Sequence, residues 1–232
     1  MNNRTRANNF DRRCGVFQTK KVLELGMGGS VLDVGCGTGE FTSILKKRFN
    51  QVYGMDPDTN LIGEALKTTT DITYFVGFGE TFTCPHRFNT INMTNLLEHV
   101  DDPIKLLANC RLHLAEGGRI VAQVPNSRSI TRRLGALMGL IDSTANISDK
   151  ERDFYGHKRT YTLRTLRKDF IRSGLKIIES GGILYKPLPN EILEELCVKN
   201  GSEWTNKFIN ALIRFGEDRP SECAYIYVCA SL

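Results

Sequence analysis

The chain has 232 residues, which at about 150 residues per domain corresponds to one large domain with appendages. With 41% hydrophobic and 25% charged residues it has an ordinary globular composition, which excludes a disordered, collagenous or disulfide-scaffold protein. Its net charge of +5 is too small to mark a nucleic-acid binder unless the basic residues gather on one face. No stretch reaches the roughly 18 apolar residues of a membrane span, and the start MNNRTRANNFDRR lacks the apolar core of a secretory signal. Seven scattered cysteines without a CxxC fit neither a disulfide framework nor a zinc cage, so a cytoplasmic protein is expected.

Along the chain, apolar runs at 31–34, 51–55, 72–76, 88–93 and 119–124 predict five strands. Helical patterns at 40–49, 58–69 and 102–113 separate them, the first with Phe41, Ile44, Leu45 and Phe49 on one side. That alternation is the mark of βαβ units and a parallel sheet. After Pro125 the rhythm changes. A helix is predicted over 129–141, with Ile130, Leu134, Leu137, Met138 and Ile141 on one face that reads as core or lid in preference to a membrane anchor. A polar stretch, 142–159, follows. Then come a helix at 162–173 closed by Gly174, a strand at 175–179, helices at 190–199 and 202–215, and a strand at 224–231.

The segment Val31-Leu32-Asp33-Val34-Gly35-Cys36-Gly37-Thr38-Gly39 places a strand, a glycine turn and a helix start in the order a nucleotide site needs. Glycines let the backbone approach a ligand, and the helix start offers unpaired N–H groups. The spacing is GxGxG, since Glu40 stands where a dinucleotide fingerprint has its third glycine. Asp33 would repel a pyrophosphate but suits an ammonium and a sulfonium, and Asp56, at the end of the second strand, is placed for ribose hydroxyls. Together they point to S-adenosylmethionine.

The segments VLDVGCGTGEFT, VYGMDP, FNTINMTNLLEHVDDP and LAEGGRIVAQVPN resemble the class I S-adenosylmethionine-dependent methyltransferases. The branch they are most similar to contains the ubiquinone-biosynthesis O-methyltransferases and bacterial small-molecule and surface-polysaccharide methyltransferases. The resemblance spans roughly 12–186 and implies an α/β, Rossmann-like, doubly wound seven-stranded sheet with its last strand antiparallel and a helical substrate-side insertion. It divides the chain into an N-terminal helical arm (1–25), a cofactor-binding half (26–125) and substrate-side helices with the final strands (126–232). Carried over by position, Asp33, Gly35, Cys36, Gly37 and Gly39 would cradle the methionine part, Asp56 the ribose, and Pro57 the adenine edge. Gly79, Thr94 and Asn95 complete the cofactor set. Phe78 stands where such enzymes usually have an acidic residue, so apolar contact with adenine is expected there.

Methyl transfer is an in-line displacement that needs a positioned nucleophile and a group to take its proton. His99, directly after the fourth strand, is the first candidate base. Plant small-RNA 2′-O-methyltransferases and ubiquinone-type enzymes resemble this chain in a segment that holds a divalent metal. Here that segment would reduce to Glu98, His99 and His157, with Asn95 replacing the first carboxylate. The basic excess concentrates at 1–13 and at 127–172, where eleven Lys/Arg face five acids. Arg128, Arg132, Lys158 and Arg159, with Tyr161 beside them, are therefore expected to meet a small anionic acceptor such as a sugar, a nucleotide sugar or a phosphorylated metabolite. A polyprenyl-phenol acceptor and a non-catalytic cofactor-binding scaffold are the alternatives. Sparse aromatics argue against a nucleic-acid groove.

Overall fold

The computed structural model describes residues 9–232; the first eight residues of the expected N-terminal arm, with two of its arginines, lie outside the described residues. Seven strands form one sheet: β1 (Gly29–Val34), β2 (Phe49–Asp56), β3 (Thr73–Val76), β4 (Phe88–Thr94), β5 (Leu114–Pro125), β6 (Lys176–Ile183) and β7 (Tyr225–Ser231). Their order is β3-β2-β1-β4-β5-β7-β6, with the first five parallel and β7 antiparallel to both of its neighbours. The expected doubly wound sheet is present. Its strand order reverses between β1 and β4, and a crevice forms at the carboxyl ends of the strands at such a switch point.

Alternation along the strands builds two cores. Leu32, Val34, Ile226, Val228 and Ala230 face one side, where α4 (Pro103–Arg111) and α6 (Leu163–Arg172) cover them with Leu106, Leu107, Leu166 and Phe170. Val31, Tyr227 and Cys229 face the other. There α1 (Asn9–Leu25), α2 (Thr42–Leu45) and α7 (Asn190–Glu217) supply Phe10, Val22, Leu45, Leu193 and Ile209. Each such side chain contributes about 1.5–3 kcal/mol by leaving water. The remaining α-helices are α3 (Thr59–Thr68), capped by Asp58 on the N–H groups of Asn60 and Leu61, and α5 (Ile130–Leu137); short π and 3-10 turns lie at Lys150–Phe154 and Pro220–Glu222.

Besides β5, which starts at Leu114 and not at 119, four elements differ from expectation. The helix predicted over 40–49 is only α2, because the chain tightens into i→i+3 turns (Lys47 N–H to Ile44 O, Arg48 N–H to Leu45 O) and Phe49 opens β2. Strand β6 runs on to Ile183 through Gly181 and Gly182. A Cβ at those positions would lie 2.8 Å from the Tyr227 hydroxyl and 2.5 Å from the Pro220 carbonyl, so these glycines permit close approach. The two C-terminal helices are joined into α7 with a break at Gly201 (φ 77°). Finally, α5 ends at Leu137, with Gly139 left-handed, and none of its residues is buried. Leu137, Met138 and Leu140 are 84%, 70% and 71% exposed, so this face is not core.

Candidate active site

A cavity of about 790 Å³ opens at the carboxyl edge of the sheet. One part of its wall is the turn after β1, where Gly35, Gly37 and Gly39 all have positive φ (78°, 55° and 74°). The N–H groups of Gly35 and Cys36 donate to the Met55 carbonyl at 2.7 and 3.0 Å, which fastens the turn to the end of β2. Asp56 completes the fastening: its carboxylate accepts from Gly37 N–H and Asp58 N–H, both at 3.0 Å. Gly35, Asp56 and Pro57 face the cavity, as do Gly77, Phe78 and Gly79 after β3. Phe78 is 64% exposed and presents its ring along this wall. Gly79 has no room for a side chain, since a Cβ would lie 2.3 Å from Leu106 Cδ1.

Asp33 is placed differently from the sequence expectation. It is buried behind the turn and off the cavity wall, accepting from Thr42 Oγ1 at 2.5 Å and Asn92 Nδ2 at 2.7 Å. Burial outweighs these hydrogen bonds and pushes its carboxyl up to about 6. Cys36, Gly37, Gly39 and Thr94 likewise stand off the wall. Thr94 belongs to a polar chain beneath the floor, donating to Asn92 Oδ1 at 3.0 Å. Asn95 is on the wall in a left-handed conformation (φ 51°), held by reciprocal amide bonds with Gln18 at 3.0 and 3.2 Å.

Gln18 is one of the residues that sequence reasoning missed. With Asp11 and Gly15 it forms a stripe at helical spacing along α1 that faces the cavity. A Cβ at Gly15 would lie 2.3 Å from the Phe41 ring, so glycine is what lets α1 pack against that ring. Lys186 and Asn190 are further missed wall residues, with Lys186 Nζ donating to Asn190 Oδ1 at 2.5 Å. Asp11, Gly15 and Gln18 carried a signal in their i, i+4, i+7 spacing, whereas Lys186 and Asn190 are brought to the wall by the fold from a distant part of the chain.

Glu98, His99 and His157 converge. One potential donor atom from each lies within 4.8 Å of the others, and the two imidazole rings meet edge to face at 4.9 Å. Four hydrogen bonds carry the 156–159 segment onto the 97–101 segment. His99 Nδ1 lies 3.3 Å from the Gly156 carbonyl, Lys158 N–H donates to the Glu98 carbonyl at 2.8 Å, and Arg159 donates to the carbonyls of Leu97 and Asp101 at 3.3 and 2.9 Å. A carbonyl only accepts, so Nδ1 of His99 is the donor in that bond, and its Nε2 lies 3.9 Å from Glu98 Oε1. Glu98 is 2% exposed with neither carboxylate oxygen hydrogen-bonded, and burial pushes its carboxyl up to about 8. Burial also holds His157 below the usual imidazole range, which favours its neutral form. A buried carboxyl without a hydrogen-bond partner and two adjacent imidazoles form a donor set that fits a divalent cation.

The five residues expected to meet an anionic acceptor are not brought together. Arg128 is exposed outside the cavity, and Arg159 is spent on the two backbone carbonyls. Tyr161 is a core residue whose hydroxyl donates to Asp169 at 3.1 Å. Lys158 and Arg132 do line the cavity, but each is paired, Lys158 with Asp101 at 2.6 Å and Arg132 with Glu151.

Residues 11–180 match a family model described as a methyltransferase domain. The chain belongs to the S-adenosylmethionine-dependent methyltransferases. It is 31% identical over 170 residues to a ubiquinone biosynthesis O-methyltransferase of Coxiella burnetii, covering 71% of this chain and 70% of that one. Among solved structures, a methyltransferase of Thermotoga maritima described as a possible histamine N-methyltransferase aligns with TM-score 0.66 at 19% identity, over 95% and 89% of the two chains. A methyltransferase of Mesorhizobium loti aligns with TM-score 0.62 at 18% identity, over 90% and 94%. These two likenesses concern the fold. The methyltransferase is thus an enzyme that takes its methyl group from S-adenosylmethionine and passes it to a small molecule. Among its described residues no helix is long and apolar enough to cross a membrane.

Proposed function

We propose that this methyltransferase O-methylates an uncharged, aromatic hydroxyl of the ubiquinone-precursor type. The observation that carries the reading is the convergence of Glu98, His99 and His157 on the cavity wall. When bound, S-adenosylmethionine supplies an electrophilic methyl on its sulfonium, and Gly35, Asp56, Pro57, Phe78 and Gly79 would hold it. The chain's own task is to hold the acceptor oxygen in line and remove its proton. His99 Nε2 takes that proton, and Glu98, 3.9 Å away, becomes the counter-charge of the imidazolium when its buried carboxyl ionises. A divalent cation held by Glu98, His99 and His157 would take the place of the histidine base and acidify the hydroxyl instead.

Charge supports an uncharged acceptor over an anionic one. The wall carries six acids (Asp11, Asp56, Glu80, Glu98, Asp101, Glu151) against three bases (Arg132, Lys158, Lys186). Two of those bases are already paired with wall acids. The relatives named for ubiquinone biosynthesis agree with a phenolic acceptor, and the exposed apolar side of α5 gives a prenyl tail a place to lie beside the mouth, where Ser129, Thr131 and Arg132 form part of the rim. The test is methyl transfer to a panel holding a prenylated catechol, a nucleotide sugar and a primary amine. Turnover confined to the catechol supports the reading; preference for the nucleotide sugar or the amine overturns it.

A further inference from the structure

Behind the acid–base cluster lies a second, smaller chamber of about 20 Å³, walled by Glu98, Ser127, Arg132 and His157 among others. Two of its wall groups are buried and unsatisfied in opposite senses. Glu98 presents carboxylate oxygens that lack a donor, and Arg132 presents an Nε–H that lacks an acceptor. The rest of the Arg132 guanidinium is occupied, with Nη1 on Glu151 and Nη2 on the Asn146 carbonyl at 2.6 Å. Glu151 is itself held by the backbone N–H and hydroxyl of Ser148, both at 2.8 Å. The guanidinium plane is therefore fixed. Leaving a buried donor or acceptor unpaired costs about 1–3 kcal/mol, more when the group is charged. A single water needs about 10–15 Å³ and two to four polar partners, and the chamber offers both.

We propose that this chamber is a single-water site, in which the water accepts from Arg132 Nε–H and donates to the Glu98 carboxylate, and that Arg132 is thereby a positioning residue for Glu98. One side chain then fixes two parts of the cluster. Through Glu151, whose carbonyl accepts from His157 N–H at 2.9 Å, Arg132 anchors the segment that delivers His157; through the water it sets the rotamer of Glu98. A carboxylate has about four lone-pair positions, so the water leaves Glu98 free to face His99 as well. Arg132 thus acts inward on the machinery and not on an acceptor. The water site is independent of which acceptor is used.

A crystal structure of the wild type at about 1.5 Å, where ordered water is resolved, should show one isolated density peak within hydrogen-bonding distance of both Arg132 Nε and Glu98. Arg132→Lys keeps a cation opposite Glu151 but removes the Nε donor. It should lose the water, turn the Glu98 side chain, and lower kcat on catechol about tenfold or more. S-adenosylmethionine affinity should stay within about twofold, because Gly35, Asp56, Pro57, Phe78 and Gly79 are untouched. An empty chamber in the wild type, an unmoved Glu98 in the variant, or an unchanged kcat would each overturn the proposal. The crystallographic arm decides it even if the variant is unstable or catechol is not turned over, so its failure is distinct from failure of the acceptor reading.

Discussion

Replacing Gly79 by alanine adds one methyl group to the wall assigned to the adenine end of the cofactor. The new Cβ would sit 2.3 Å from Leu106 Cδ1 and 3.1 Å from Val34 Cγ1, against an ordinary carbon contact of about 3.5–4.0 Å. Leu106 is fully buried and Val34 nearly so, which leaves the core little room to yield. The loop is also tied from behind, since Asn109 Nδ2 donates to the carbonyls of Gly79 and Phe82, both at 2.8 Å. Overpacking of this kind costs about 1–3 kcal/mol. If the wall relieves it by moving into the cavity, the cost appears as a roughly 5- to 150-fold weaker Kd for S-adenosylmethionine. Isothermal calorimetry with cofactor, beside urea unfolding of the same protein, reads both terms. A variant that loses stability but binds cofactor within about twofold of wild type would refute the assignment of this wall.

Other expectations follow from single contacts. Asp33 holds an extra proton in the folded state between its unfolded value near 4 and its folded value of about 6, so its contribution is greatest below pH 4 and is lost as pH rises to 6. The loss is about 3 kcal/mol at 1.36 kcal/mol per unit; in urea titrations at pH 4, 5 and 6 Asp33→Asn should remove that slope, and parallel curves would contradict it. Arg159→Met severs the clamp on Leu97 and Asp101, with an expected loss of about 1.5–3 kcal/mol in unfolding free energy, and it should lower kcat more than it weakens cofactor binding. If the apolar face of α5 carries a prenylated acceptor, Leu134→Asp with Met138→Asp should abolish association with lipid vesicles while turnover of tail-less catechol persists; unchanged association in a sedimentation assay would count against that role.

The sheet was legible because its information is local. The first three strands are short runs closed by glycine or aspartate, as in Val31 to Gly35 and Val52 to Asp56, and β-pairing only confirms what the pattern implies. The glycine turn and Asp56 on the cavity wall could be read for the same reason. What escaped was set by contacts between distant segments. Arg159 and Tyr161 looked like substrate residues by position, yet one is consumed by carbonyls some sixty residues earlier and the other by Asp169 and the core. The strand predicted at 175–179 stops short of Gly181 and Gly182, whose place in the sheet follows from the Tyr227 ring and the Pro220 turn packed against them. The face of α5 had helical periodicity, which says that one side is apolar but not what covers it. Charge counted along the chain likewise does not show local pairing, such as that of Arg132 with Glu151 and Lys158 with Asp101.

The central claim is that proton removal at the Glu98, His99 and His157 cluster drives methyl transfer to a hydroxyl. Its most direct test is the rate at which wild type and Glu98→Gln transfer a labelled methyl from saturating S-adenosylmethionine to a catechol, with cofactor binding measured on the same samples. The account predicts equal cofactor affinity and a loss of at least about a hundredfold in rate, the lower range for a removed acid–base group. Equal rates in the two proteins would contradict it.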